Sequence, residues 1–222
     1  MSYTWGEVKD AVSERLEFNR MSVNSLDTTH NSAFSNLCLL CLQDFFRRSK
    51  YIAVDRQAID VADTTEILDL ADATVIGSTG LKIFEISKLW INEKPVLYKS
   101  VVEIEPDGSI QDEPARGDQI TYYQHGPYTY KLSHPVDDDY EGKVSGYGTI
   151  QAPASNSAVI PIADYDLHAI SKCIAVTIAE DVTGNEGVAI ALKIARKWCE
   201  EYVEKVRATR ASGRNLVIRR GP

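Results

Sequence analysis

Helical periodicity occupies both ends of this chain and short β-type runs fill its middle. The two halves of any helical layer must therefore meet in space across about 110 intervening residues. At the start, Thr4 is followed three residues later by Glu7, the spacing of a capping box, and Val8, Val12 and Leu16 recur at helical intervals. This predicts a helix over roughly residues 5–18. A second start signal at Asn24-Ser25 precedes Leu26, Ala33, Leu37, Leu40, Cys41 and Phe45, and its "LCLLCL" stretch is apolar on every side. A helix wet on no face belongs in the middle of a bundle or in a subunit contact. Late in the chain, Leu167, Ile170, Ile174 and Ile178 share one helical face, and Gly184 supplies a stop. Asn185 can cap a fourth helix on which Val188, Leu192, Ala195, Cys199, Tyr202 and Val206 alternate steps of four and three. Such a run is a seam for a neighbouring helix, in the bundle or in a ring.

Between these ends, "TTEILDL", "LKIFEISKLWI", "PVLYKSVVEIE", "QITYYQ", "YTYKLS" and "YGTIQAP" are candidate strands separated by turn residues. "INEKP" reads as a hairpin connection and "EPDGS" as a turn. The expected fold is α+β: an antiparallel bundle of about four helices from residues 1–48 and 161–210, with a central antiparallel β-rich insertion over 49–160. Residues 211–222 are expected to form an extended tail, having too little apolar surface to fold alone.

The 222 residues carry a net charge of -8, but from Lys205 onward there are six basic residues and no acidic one. An acidic body repels phosphate, which argues against a sequence-reading nucleic-acid binder while leaving room for DNA to pass without sticking. No apolar run is long enough to span a bilayer, and "MSYTWGEVKD" lacks the features of a signal peptide. The protein is expected to stay inside a cell with Cys38, Cys41, Cys173 and Cys199 reduced.

Little in the sequence asks for catalysis. Cys38-x-x-Cys41 could share zinc or form a redox pair, but no second close ligand pair exists and the surrounding leucines would raise the thiol pKa. A buried-core reading is preferred. His134 with Asp137, Asp138 and Asp139 suggests a metal loop or nuclease set, yet the spacing of a calcium loop is missing, and "DDDYEGKVSGYG" reads as a solvated acidic loop. His30 and His125 are isolated, and "GSTG" lacks the lysine of a phosphate loop. Trp5, Trp90 and Trp198 read as core or interface anchors. No catalytic residue, metal or cofactor is expected.

The succession of the opening "TWGEVKDAVSERL" helix, "NSAFSNLCLLCLQDFF" running into "YIAVDRQAIDVADTTEILDL", the strand "KIFEISKLWIN", the "QITYYQHGPYTYKLSHPV" pair and "VIPIADYDLHAISKCIAVTIAED" resembles the head-to-tail adaptor, or connector, proteins of tailed bacteriophages. The resemblance spans most of the chain and rests on order and spacing, without a catalytic signature. It implies a homo-oligomeric ring, typically of twelve copies, beneath the portal protein in the virion neck, assembled in the host cytoplasm. Such a ring extends the DNA channel, lets genomic DNA pass without sequence-specific binding, and offers a docking surface to tail, nozzle or stopper proteins; no membrane is involved. Family members commonly engage the portal through their C-terminal segment, which here would be Arg210, Arg214, Leu216, Val217, Ile218, Arg219 and Arg220. Alternatives are another neck or tail-completion ring protein of the stopper kind, a channel protein whose basic tail touches DNA, and a metal-dependent hydrolase built on His134 and Asp137 to Asp139.

Overall fold

The computed structural model describes residues 3–18, 32–71, 74–76, 79–98, 120–133, 135–136, 138–182 and 186–211. Its elements begin with β1 (Tyr3–Thr4), α1 (Trp5–Phe18), α2 (Ser32–Ser49), β2 (Ile52–Val61), β3 (Ile67–Asp69), β4 (Thr74–Ile76) and β5 (Thr79–Ile91). They continue with β6 (Lys94–Tyr98), β7 (Thr121–Gln124), β8 (Thr129–Leu132), β9 (Tyr140–Ile150), β10 (Val159–Ile160), α3 (Leu167–Val182) and α4 (Glu186–Ala211). They fall into two compact units, one holding the helices with β1 and β10, the other holding most of the large sheet.

In the helical unit α3 packs against α1, α2 and α4. The capping box of α1 closes as its sequence predicts: the Glu7 N–H donates to Thr4 Oγ1 at 3.3 Å, and the Glu7 carboxylate accepts from the Thr4 N–H at 2.7 Å and the Thr4 hydroxyl at 2.8 Å. Those bonds hold the Glu7 carboxyl below its ordinary range. Val8, Val12 and Leu16 of α1 and Ile170, Ile174 and Ile178 of α3 are all buried. Taking each such side chain out of water stabilises the fold by about 1.5–3 kcal/mol. A two-residue antiparallel bridge, Tyr3 opposite Ile160 and Thr4 opposite Val159, ties the first residues to the strand that precedes α3.

The second helix departs from its sequence reading. Cys38 and Leu42 are fully buried, but Leu40 is 63% exposed on a stripe with Asn36 and Asp44, so α2 does have a wet face within this chain.

The sheet runs in the order β2-β9-β5-β6-β7-β8-β3, and β4 pairs with β5 off that path. This overturns the expectation of an antiparallel helical bundle with a central antiparallel β-rich insertion. Among the described residues the chain is a β-rich α+β protein, with four helices and a curled, mixed sheet whose main path of seven strands forms a half-barrel, β4 being an eighth strand on β5. The sheet is mixed because β6 and β7 run parallel, with Leu97 opposite Thr121 and Tyr98 opposite Tyr122. Parallel neighbours require a long connection, and residues 99–120 supply it.

Strand β9 begins in the stretch whose sequence reads as a solvated acidic loop and ends in the candidate strand "YGTIQAP". Its glycines serve close strand approach: a Cβ on Gly146 would lie 2.0 Å from the Glu85 carbonyl oxygen. Between β5 and β6 the "INEK" hairpin forms as its sequence indicates, with Ile91 opposite Lys94 and positive φ at both Asn92 (51°) and Glu93 (60°). That is the primed turn matching the twist of the paired strands. Tyrosines fill much of the sheet's core. Tyr122 and Tyr130 are buried edge to face at 6.0 Å, and the Tyr130 hydroxyl donates to the Phe84 carbonyl at 3.0 Å. Burial pushes the Tyr122 phenol up to about 12.

Candidate functional site

The candidate surface is the face of α4 together with the end of the helical unit that it covers. Of the sequence-predicted seam, Cys199 and Val206 are buried, Leu192 and Tyr202 are half-buried, and Val188 lies where the backbone alone is described. Val203 joins the buried set, so the C-terminal turns of α4 bury apolar side chains within the chain's own helical unit, against α2 and α3. The opposite face carries Ile194, 69% exposed, and Trp198 one helical turn later. Around them Arg196 pairs with Glu200 at 3.1 Å and Lys197 with Glu201 at 3.9 Å, both at i,i+4 spacing in solvent. Exposed pairs of this kind contribute little to stability.

Trp198 is held in place by neighbours on both sides. Its ring stacks on Tyr202 at 5.6 Å, and the Lys172 ammonium of α3 sits 4.0 Å from the indole centroid. Tyr202 continues the stack to Phe45 at 6.1 Å, while Phe46 stacks on Tyr51 at 5.3 Å. Beneath this aromatic layer Asp166, 6% exposed, accepts the Tyr51 hydroxyl at 2.7 Å and the Tyr202 hydroxyl at 2.6 Å. Asp166 also directly precedes the first residue of α3, and its backbone carbonyl accepts the Ile170 N–H at 2.9 Å. One buried carboxylate thereby joins the end of α2, the start of α3 and the middle of α4. Burial and the hydrogen bond to Asp166 both push the Tyr202 phenol well above its ordinary range, so the hydroxyl stays a donor.

Sequence reasoning did not single out Asp166. The available signal was an aspartate directly before the helical run from Leu167, the position of an N-cap. Its tyrosine partners are far away in sequence and carry no local mark.

The other candidates are placed as follows. Cys38 is buried, and its thiol is pushed up to about 12, first by burial and then by Cys41. Trp5 is buried and its indole N–H donates to Ser35 Oγ at 3.2 Å. Trp90 lies under the Arg56 guanidinium at 5.5 Å. Asp139 accepts the Asp63 N–H at 2.7 Å and Asp138 accepts the Asp139 N–H at 2.8 Å, so these carboxylates order their own turn. His134, Asp137 and His30 lie outside the described residues, as does the start signal at Asn24-Ser25. Among the described residues no group of three or more His, Cys, Asp or Glu side chains is arranged to hold a metal ion, and no helix is long and apolar enough to cross a membrane.

Helix α4 runs to Ala211, so the backbone of Arg210 belongs to its last turn. Arg214, Leu216, Val217, Ile218, Arg219 and Arg220 lie outside the described residues.

No protein-family profile matches the chain, and no curated protein matches it in sequence.

Proposed function

We propose that this chain is a structural, non-enzymatic adaptor of a tailed-phage neck, forming a ring on the portal protein, extending the DNA channel and presenting a docking surface to tail, nozzle or stopper proteins. The observation that carries the reading is the outward face of α4. Ile194 and Trp198 stand exposed on a helix otherwise anchored by its inner face, and that helix leads directly into the arginine-rich residues 212–222. The likeness to the head-to-tail adaptors in element order adds to it. So does the acidic body, which suits a channel that DNA must slide through without binding.

In this reading each subunit uses two different patches toward its ring neighbours, as head-to-tail rings require. Leu40 on α2 and the Ile194–Trp198 pair on α4 are exposed apolar groups available for that purpose. The tail binds as an extended peptide: Leu216, Val217 and Ile218 fill small apolar pockets and Arg214, Arg219 and Arg220 pair with carboxylates, while Arg210 does so from the last turn of α4. A single tail binds weakly, but a ring of tails acts multivalently.

A chain ending at Ala211 should keep its fold by circular dichroism yet fail to assemble with the portal protein of the same genome. Undiminished ring-on-ring complexes from that truncated chain would overturn the tail's assigned role. Neutralising Arg219 and Arg220 separates portal from DNA contact, because a DNA-touching tail loses affinity steeply with salt.

The large mixed sheet favours a second reading, another ring component of the neck such as a stopper or tail-completion protein, since those are more often β-rich. Binding to the far side of an assembled adaptor ring, with no affinity for portal alone, distinguishes it.

A further inference from the structure

Three of the four cysteines meet at one cleft. Cys41 of α2, Cys173 of α3 and Cys199 of α4 all line a space of about 140 Å³ between these helices. Every cysteine in the chain is a free thiol. Cys173 and Cys199 are 7% and 8% exposed, and they neighbour one another where α3 packs on α4.

The two sulfurs are not equivalent. The neighbouring Cys199 thiol and burial together raise the Cys173 pKa well above the thiol range. The Cys199 pKa is lowered, first by the adjacent Cys173 and then by the nearby Lys172 ammonium, against burial and the carboxylates of Glu180 and Glu200. Lys172 is fixed there by its stacking on Trp198. Cys38 differs, since burial leaves it without a cation strong enough to offset the rise.

We propose that Cys199 and Cys173 are a modification site for hydroperoxides, closing to a disulfide between α3 and α4. The Cys199 sulfur attacks the peroxide O–O bond, giving a sulfenic acid and releasing water or an alcohol. Cys173 then displaces hydroxide from that sulfur, forming the S–S bond and a second water. Two thiols lose two electrons in all, and the hydroperoxide takes them. Hydrogen peroxide fits the cleft, because one water needs roughly 10–15 Å³ on the same measure. The assignment does not depend on the role proposed for the tail.

Fully reduced, full-length protein should be treated with stoichiometric hydrogen peroxide, alkylated while folded, and digested with trypsin without reduction. The peptides 173–193 and 198–205 are separate from the one that carries Cys38 and Cys41, so the pairing is read directly from mass. The expected product links Cys173 to Cys199, raises Tm by on the order of 5–10 °C by closing the intervening loop, and reverts with dithiothreitol. With Cys173→Ser, a sulfenic acid trapped by dimedone should map to Cys199. Oxidation of Cys38 ahead of Cys199, a Cys41–Cys199 link in place of Cys173–Cys199, or thiols that react only after denaturation would each overturn the proposal.

Discussion

Asp166 in the helical unit and Tyr130 in the sheet unit are both polar side chains taken out of water, and they are satisfied by different means. Asp166 depends on two other side chains, the hydroxyls of Tyr51 and Tyr202, each drawn from a different helix-bearing segment. Tyr130 depends on a backbone carbonyl, that of Phe84, which is present whatever side chain stands at that position. A hub of side chains fails collectively when one member is lost, whereas a hydroxyl resting on the main chain fails alone. Close packing differs as well. The helices interlock aliphatic side chains, whereas the middle of the sheet removes them: Gly146 lets β9 lie against the Glu85 carbonyl where no Cβ could fit.

The largest expected effect tests that contact. Gly146→Ala should destabilise the sheet unit by about 3 kcal/mol or more, since overpacking against backbone cannot be relieved by a rotamer change. Hydrogen exchange should show the loss in β5 and β9 while α1 and α3 keep their protection; equal loss in both units would remove the distinction drawn between them.

Next in size is Asp166→Ala, expected to lower stability by about 2 kcal/mol. It leaves the Tyr51 and Tyr202 hydroxyls without their acceptor, offset in part by no longer burying a carboxylate. In that background Tyr202→Phe should add little, and chemical denaturation of the four variants in the cycle measures the coupling. Additive effects would mean that the three residues do not act as a hub.

The smallest is Tyr130→Phe, at about 1 kcal/mol, with no coupling to the helical variants. The sheet's tyrosines also predict an alkaline limit. Tyr122 keeps its proton to about 12 when folded and titrates near 10 when unfolded, so its contribution is complete below pH ~10 and is lost as pH rises toward 12. Denaturation midpoints measured from pH 8 to 12 should be flat and then fall, and Tyr122→Phe should soften the decline.

These differences also decide what could be read before the fold was known. Helices α1, α3 and α4 are written locally: Thr4 and Glu7 are three residues apart, and Ile170, Ile174 and Ile178 repeat every helical turn. The Asp166 hub is written nonlocally, with partners 115 and 36 residues away. The first half of strand β9 was hidden by Gly142 and Gly146, which mark turns in isolated sequence but mark close approach inside a sheet. Parallel pairing of β6 with β7 leaves no trace in either strand. The meeting of Cys173 and Cys199 at one cleft was likewise invisible, although the seam spacing had placed Cys199 on the inner face of α4.

The proposed role is tested most directly by imaging. Full-length protein mixed with the portal protein from the same genome, and examined by negative-stain electron microscopy, should give a second ring stacked coaxially on the portal, of twelve copies if the family's symmetry holds. A chain that stays monomeric at micromolar concentration and leaves the portal ring bare would contradict it.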